Sequence, residues 1–143
     1  MRASRPVLAA LLGAAGLAAA GAGAAERAAP PMLSEGYRFE EQGGAALWAN
    51  VCAGCHQADA RGAEGAGAYP ALAGDGALAS ADFVARVLFE GLRGMPALGR
   101  MMSDEQAADV INYARSHFGN LYDDPVSAAD AAAARARAAE PPR

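Results

Sequence analysis

The chain has 143 residues, a formal net charge of −4 and 53% apolar residues. Between Gly36 and Asp124 twelve carboxylates stand against six arginines, which excludes the basic footprint that nucleic acid requires. Threonine and lysine are absent, isoleucine occurs once and valine six times beside abundant alanine, so strand-forming residues are scarce and an all-α domain is expected.

The amino terminus, "MRASRPVLAALLGAAGLAAAGAGAAERA", places two arginines before an uncharged Ala/Leu/Gly run that closes on Ala22, Gly23 and Ala24. That order reads as a secretory signal peptide over 1–24, with export into a bacterial periplasm. The competing reading is an uncleaved membrane anchor, because the run approaches the length of a bilayer span; against it, alanine and glycine contribute little to insertion. No span is expected in the mature chain, which keeps about 119 residues, the size of one domain. Residues 25–36, with Pro30 next to Pro31, read as a flexible lead-in.

A domain over 37–123 follows. Leu47, Trp48, Val51 and Cys52 recur at helical spacing within a helix predicted from Phe39 to Cys52, with Gly44 one turn earlier on the same face. The stretch "RGAEGAGAYPALAGDG" is too rich in glycine for anything but loop. Ser80 caps a short helix over "ADFVARVLFE" that Gly91 stops. After a second loop, "GLRGMPALGRMM", Ser103 and Gln106 form a capping box at the start of the strongest helix, whose buried stripe is Ala107, Val110, Ile111, Ala114 and Phe118, ending at Gly119. The tail over 124–143 is rich in alanine and arginine. It is expected to be partly helical or disordered, with almost nothing large to bury.

Three short helices joined by glycine-rich loops bury too little apolar surface to offset the ordering of those loops, so a bound group is expected to fill the middle. The segment "VCAGCHQADARG" identifies it. Cys52 and Cys55 are the chain's two cysteines, and His56 follows the second directly. A disulfide between them closes too small a loop to staple a domain, and a thioredoxin-type redox pair belongs beside a strand–helix pattern that is missing here. A zinc site needs four ligands, and His117 stands too far along the chain for any zinc-module spacing. The C-x-x-C-H spacing is instead that of c-type haem attachment, each thiol taking one haem vinyl group and the histidine binding iron.

With those residues in hand, the chain from Gly36 to Asp123 resembles a single-haem class I c-type cytochrome, and "MPALGRMMSDEQAADVINYARSHFGN" is similar to the haem domains of bacterial periplasmic dehydrogenase cytochrome subunits. A weaker echo continues in "VSAADAAAAR". The resemblance implies the class I cytochrome c fold, three to four helices around one covalently bound haem c. It implies that Gly44 and Trp48 lie where the first helix crosses the last, with Tyr113 as partner aromatic. It also implies that the Pro70 carbonyl in "YPAL" accepts the proton of His56, and that Leu72 lies against the ring. One departure from the family stands in "DARG", where relatives more often carry glycine after the aspartate; the loop around Ala60 is therefore expected to turn differently.

The sixth iron ligand decides the function. Met1 leaves with the signal peptide, Met32 precedes the domain, and Met101 and Met102 abut the cap at Ser103 as hydrophobic plugs. Met95 is the expected ligand, because Pro96 biases it towards extended backbone and glycines at 91, 94 and 99 let the loop approach a haem. His117 reads as a solvated helix-end histidine. Trp48 reads first as core and second as a donor to a haem propionate; Tyr69, Phe83 and Phe89 read as ring-packing residues, and Arg93 and Arg100 as exposed flanks of the methionine loop. A haem held by His56 and Met95 has no vacant position, which points to a one-electron carrier and not an enzyme. Its partners by family analogy are a periplasmic dehydrogenase as donor, and an oxidase or another cytochrome as acceptor. The alternatives are a haem enzyme or gas sensor with a labile sixth ligand, and an interaction module using the tail.

Overall fold

The computed structural model describes residues 37–65 and 67–140. The expected signal peptide, the lead-in over 25–36 and Met32 lie outside the described residues. What is described is helical around one small hairpin, as the scarcity of strand-forming residues predicts. Helix α1 (Gly44–Leu47), a π-helical stretch (Trp48–Cys52) and α2 (Ala53–His56) run on as one helix, followed by α3 (Ala81–Glu90), α4 (Asp104–Ser116) and α5 (Ala128–Ala138). Short 3-10 helices at Gly76–Ala79 and Leu98–Met101 punctuate the connections.

The ends of the helices follow the capping chemistry of the sequence. Ser80 accepts from the Phe83 amide and Gly91 stops α3 at a φ of 79°. Ser103 and Gln106 exchange side chain–backbone bonds at the head of α4, and the Gln106 amide reaches on to the carbonyls of Phe39 and Glu41, fastening the entry strand to this helix. Three expectations are corrected. The first helix begins at Gly44, not Phe39, and Phe118 lies beyond α4 with a left-handed φ of 59°. The glycine-rich middle is also not all loop: β1 (Ala63–Glu64) pairs antiparallel with β2 (Ala68–Tyr69).

Two apolar clusters meet along the first helix. One joins Leu47 to Leu88, Phe89, Met102, Val110 and Ile111; the other gathers Ala60, Leu78 and Ala114 around Trp48. Cys52 and Val84 touch both. At the crossing of α1 and α4, a Cβ built on Gly44 would fall 2.5 Å from Tyr113 Cβ and closer still to the Asp109 carbonyl oxygen, so only glycine lets the two backbones meet. Gly44→Ala must separate the helices, since helix backbone cannot yield as a side-chain tip can. It is expected to cost about 3 kcal/mol, the upper range for overpacking, read as a lowered melting temperature.

The tail contributes to the core in a way its composition conceals. A second capping box, Ser127 with Asp130, opens α5, and Val126 is pinned by both ends of the Asn112 amide at 2.8 Å. Ala131 and Ala134 are buried against α3 and α4. Nothing large is needed there, because alanine methyls let the helices approach closely.

Candidate functional site

The π-helical stretch ends on Cys52, and α2 carries Cys55 and His56 one turn further. Cys52 is half-buried and Cys55 exposed, with no disulfide between them. Burial, and then the neighbouring Cys55, pushes the Cys52 thiol up to about 12. A nucleophilic redox cysteine needs the opposite shift, so Cys52 is not poised for thiol exchange.

His56 is 8% exposed, and its Nδ1 lies 3.0 Å from the Pro70 carbonyl oxygen. Only an N–H can donate to a carbonyl, so Nδ1 carries a proton, and in the neutral ring the lone pair then lies on Nε2, the atom left to act as an imidazole ligand. Several backbone bonds hold Pro70 in position. Gly62 donates to the His56 carbonyl at 2.9 Å, and the Ala60 carbonyl accepts from Leu72 at 2.7 Å and Ala73 at 3.0 Å. Asn120, 2% exposed, donates to the carbonyls of Leu72 and Ala114, which ties this segment to the end of α4. Ala60 itself takes a left-handed φ of 60° and is fully buried. Alanine thus adopts, at a steric cost of roughly 1 kcal/mol, a conformation that glycine adopts freely.

Leu72 is half-buried in the Trp48 cluster, and Trp48 faces His56 at 6.3 Å between ring centroids. Trp48 is buried, yet its Nε1 has no hydrogen-bond partner among the described residues. A large acceptor-bearing group beside this wall would satisfy it.

Met95 is half-buried against the other cluster, the one that contains Phe89 and Met102. It closes a tight turn with Leu92, each accepting the other's amide at 3.0 Å. Arg93 in that turn has a left-handed φ of 52°, unusual for a residue with a side chain. A Cβ on Gly91 would sit 2.6 Å from the Met95 carbonyl oxygen, so the end of α3 presses directly on the methionine turn. No hydrogen bond or ring contact joins Met95 to His56 among the described residues; the structure unites His56 with Pro70 and places Met95 on a separate loop.

The other candidates fall elsewhere. Met102 is 1% exposed in the core, and Met101 gives its carbonyl to the Phe39 amide. His117 stacks on Tyr113 at 3.9 Å and binds the Tyr113 carbonyl from the surface. Phe89 is fully buried, Phe83 lies under Arg86, Tyr69 is half-exposed in β2, and Arg93 and Arg100 are exposed. Three supports escaped the sequence reading: Asn120, Arg115 and Arg135. Only Asn120, directly after a helix-ending glycine, left any trace there. The residues present fit a covalently held haem: two cysteines and a histidine on one helix, an imidazole of fixed tautomer, an apolar wall with an orphaned donor, and a methionine on its own turn.

The sequence profile of the family described as cytochrome c oxidase, cbb3-type, subunit III matches residues 40–113. The chain belongs to this family. It is a c-type cytochrome domain, of the electron-transfer haem kind. The cytochrome is also 40% identical over 92 residues to the fructose dehydrogenase cytochrome subunit of Gluconobacter japonicus, a match that takes in 54% of this chain and 19% of that protein. The chain therefore spans about a fifth of that relative's length. Among the described residues no helix is long and apolar enough to cross a membrane.

Proposed function

We propose that this cytochrome is a periplasmic one-electron carrier with a single haem c, attached through Cys52 and Cys55 and ligated by His56 and Met95. The bond between His56 Nδ1 and the Pro70 carbonyl carries the reading, because it orients the imidazole and leaves Nε2 as the ligating atom. When bound, the haem supplies one-electron chemistry at iron. Cys52 and Cys55 would hold it to the helix, and the Trp48–Leu72 wall would limit water around His56. Met95 would be the second iron ligand, keeping oxygen and substrates from the metal, and its thioether would favour the reduced state. The likeness to a dehydrogenase cytochrome subunit supports a periplasmic dehydrogenase as electron donor. An oxidase or another cytochrome is the acceptor. The basic leader with its small-residue end supports export.

The test is chemical. Acidified organic solvent should leave the haem on the protein, and a protease digest should contain one haem on the peptide bearing Cys52, Cys55 and His56. The reduced protein should resist carbon monoxide. Extraction of the haem refutes covalent attachment, and immediate carbon monoxide binding favours the sensor or enzyme reading.

A further inference from the structure

Resting on Met95 as the distal ligand, we propose that Arg135 is its positioning residue: the carboxy-terminal helix holds the methionine loop through one guanidinium. The loop runs from the end of α3 to the 3-10 helix Leu98–Met101, and Arg135 grips both sides of it. Its plane lies over the Phe89 ring, 4.7 Å from the centroid, one residue before α3 ends. On the far side, Nη1 donates to the Gly99 carbonyl at 2.9 Å and Nη2 to the Met102 carbonyl at 2.7 Å. Nε donates to Asp104 at 2.8 Å, which aims the fork.

Those contacts meet in a small space. A Cβ on Gly99 would fall 2.6 Å from Phe89 Cδ1, so the loop's return is wedged on the same ring that Arg135 covers. Met95 packs on that cluster between the two anchor points. The two backbone bonds between Leu92 and Met95 close the turn itself, but its tip is exposed with Arg93 left-handed, and such a conformation persists only when its surroundings enforce it. Bonds from a guanidinium to carbonyls are charge-assisted, and the planar fork reaches acceptors that a lysine ammonium cannot reach together.

The experiment uses the haem-loaded full chain with Arg135→Ala, Arg135→Lys and, on the same helix, Arg137→Ala, whose guanidinium lies 3.4 Å from the exposed Asp82. Three readouts are taken at equal intervals below each variant's melting temperature: carbon monoxide uptake by the reduced protein, the methionine-to-iron absorption band of the oxidised protein, and amide exchange over residues 92–98. Arg135→Ala should speed uptake about tenfold, the scale of one lost charge-assisted bond, weaken the band and speed exchange. Arg135→Lys should fall between it and the native protein, and carries the test should Arg135→Ala fail to fold. Arg137→Ala should match the native protein. A lower melting temperature with native uptake, band and exchange would show that Arg135 only stabilises the fold, overturning the inference and leaving the ligation intact. A native protein without the band overturns the ligation by Met95 and this inference with it.

Discussion

Met95→Ala is expected to keep its covalent haem, lose the methionine-to-iron absorption band and bind carbon monoxide readily once reduced. Attachment survives because Cys52, Cys55 and His56 lie on a different element, held by the bonds of Gly62, Ala60 and Asn120. The fold survives because Met95 is only half-buried, so its truncation costs less than the roughly 2–5 kcal/mol of a fully buried methionine. The reduction potential should fall on the order of 0.1–0.2 V, part of the ~0.8 V range that axial ligation commands. Met102→Ala supplies the contrast. At 1% exposure it should lower the melting temperature more than Met95→Ala does, while band and potential stay native. Met101→Ala should change neither. Loss of the band in Met101→Ala or Met102→Ala, with its retention in Met95→Ala, would move the ligand along the loop.

What the sequence disclosed and what it hid divide along a physical line. Capping, periodicity and motif spacing act over three or four residues, so Ser80, Ser103 with Gln106, the stop at Gly91 and the stripe from Ala107 to Ala114 could all be read directly. The cysteine and histidine spacing named the cofactor for the same reason. Long-range bonds leave no such pattern. Nothing local distinguishes Arg115, fully buried in α4, from the exposed Arg86 or Arg100, and nothing in an alanine-rich tail announces that Arg135 will reach the carbonyls of Gly99 and Met102. The π-helical turn before Cys52 was equally invisible, because its residues have ordinary helix-forming character.

A buried guanidinium is costly unless it is hydrogen-bonded, and Arg115 shows how this fold offsets that cost. Its Nε donates to the Leu78 carbonyl at 2.9 Å and its Nη2 to the Ala79 carbonyl at 3.3 Å; Nη1 takes the Asp124 carbonyl, and Nη2 also binds the Asp124 carboxylate. One side chain thus joins the 3-10 helix Gly76–Ala79, α4 and the segment leading to α5. Arg115→Met, close in volume but without donors, leaves the buried Leu78 carbonyl unmatched, while the Ala79 and Asp124 carbonyls belong to exposed residues. At about 1–3 kcal/mol for an unsatisfied buried group, a loss of that size is expected, read as a fall in melting temperature. The Asp124 carboxylate is itself largely exposed, so Asp124→Asn should lower the melting temperature far less. What Asp124 controls is the response to acid. The Arg115 side-chain hydrogen bond, followed by a backbone hydrogen bond, holds its carboxyl below the usual aspartate range. A carboxyl lowered in the folded state stabilises it above the unfolded aspartate pKa, and that stabilisation is lost as pH falls through the lowered value. Melting curves taken downwards from pH 5 should therefore show the native protein losing stability more steeply than Asp124→Asn. Parallel curves would mean that Arg115 is held by its three carbonyls alone, and that the carboxylate is only a bystander at the surface.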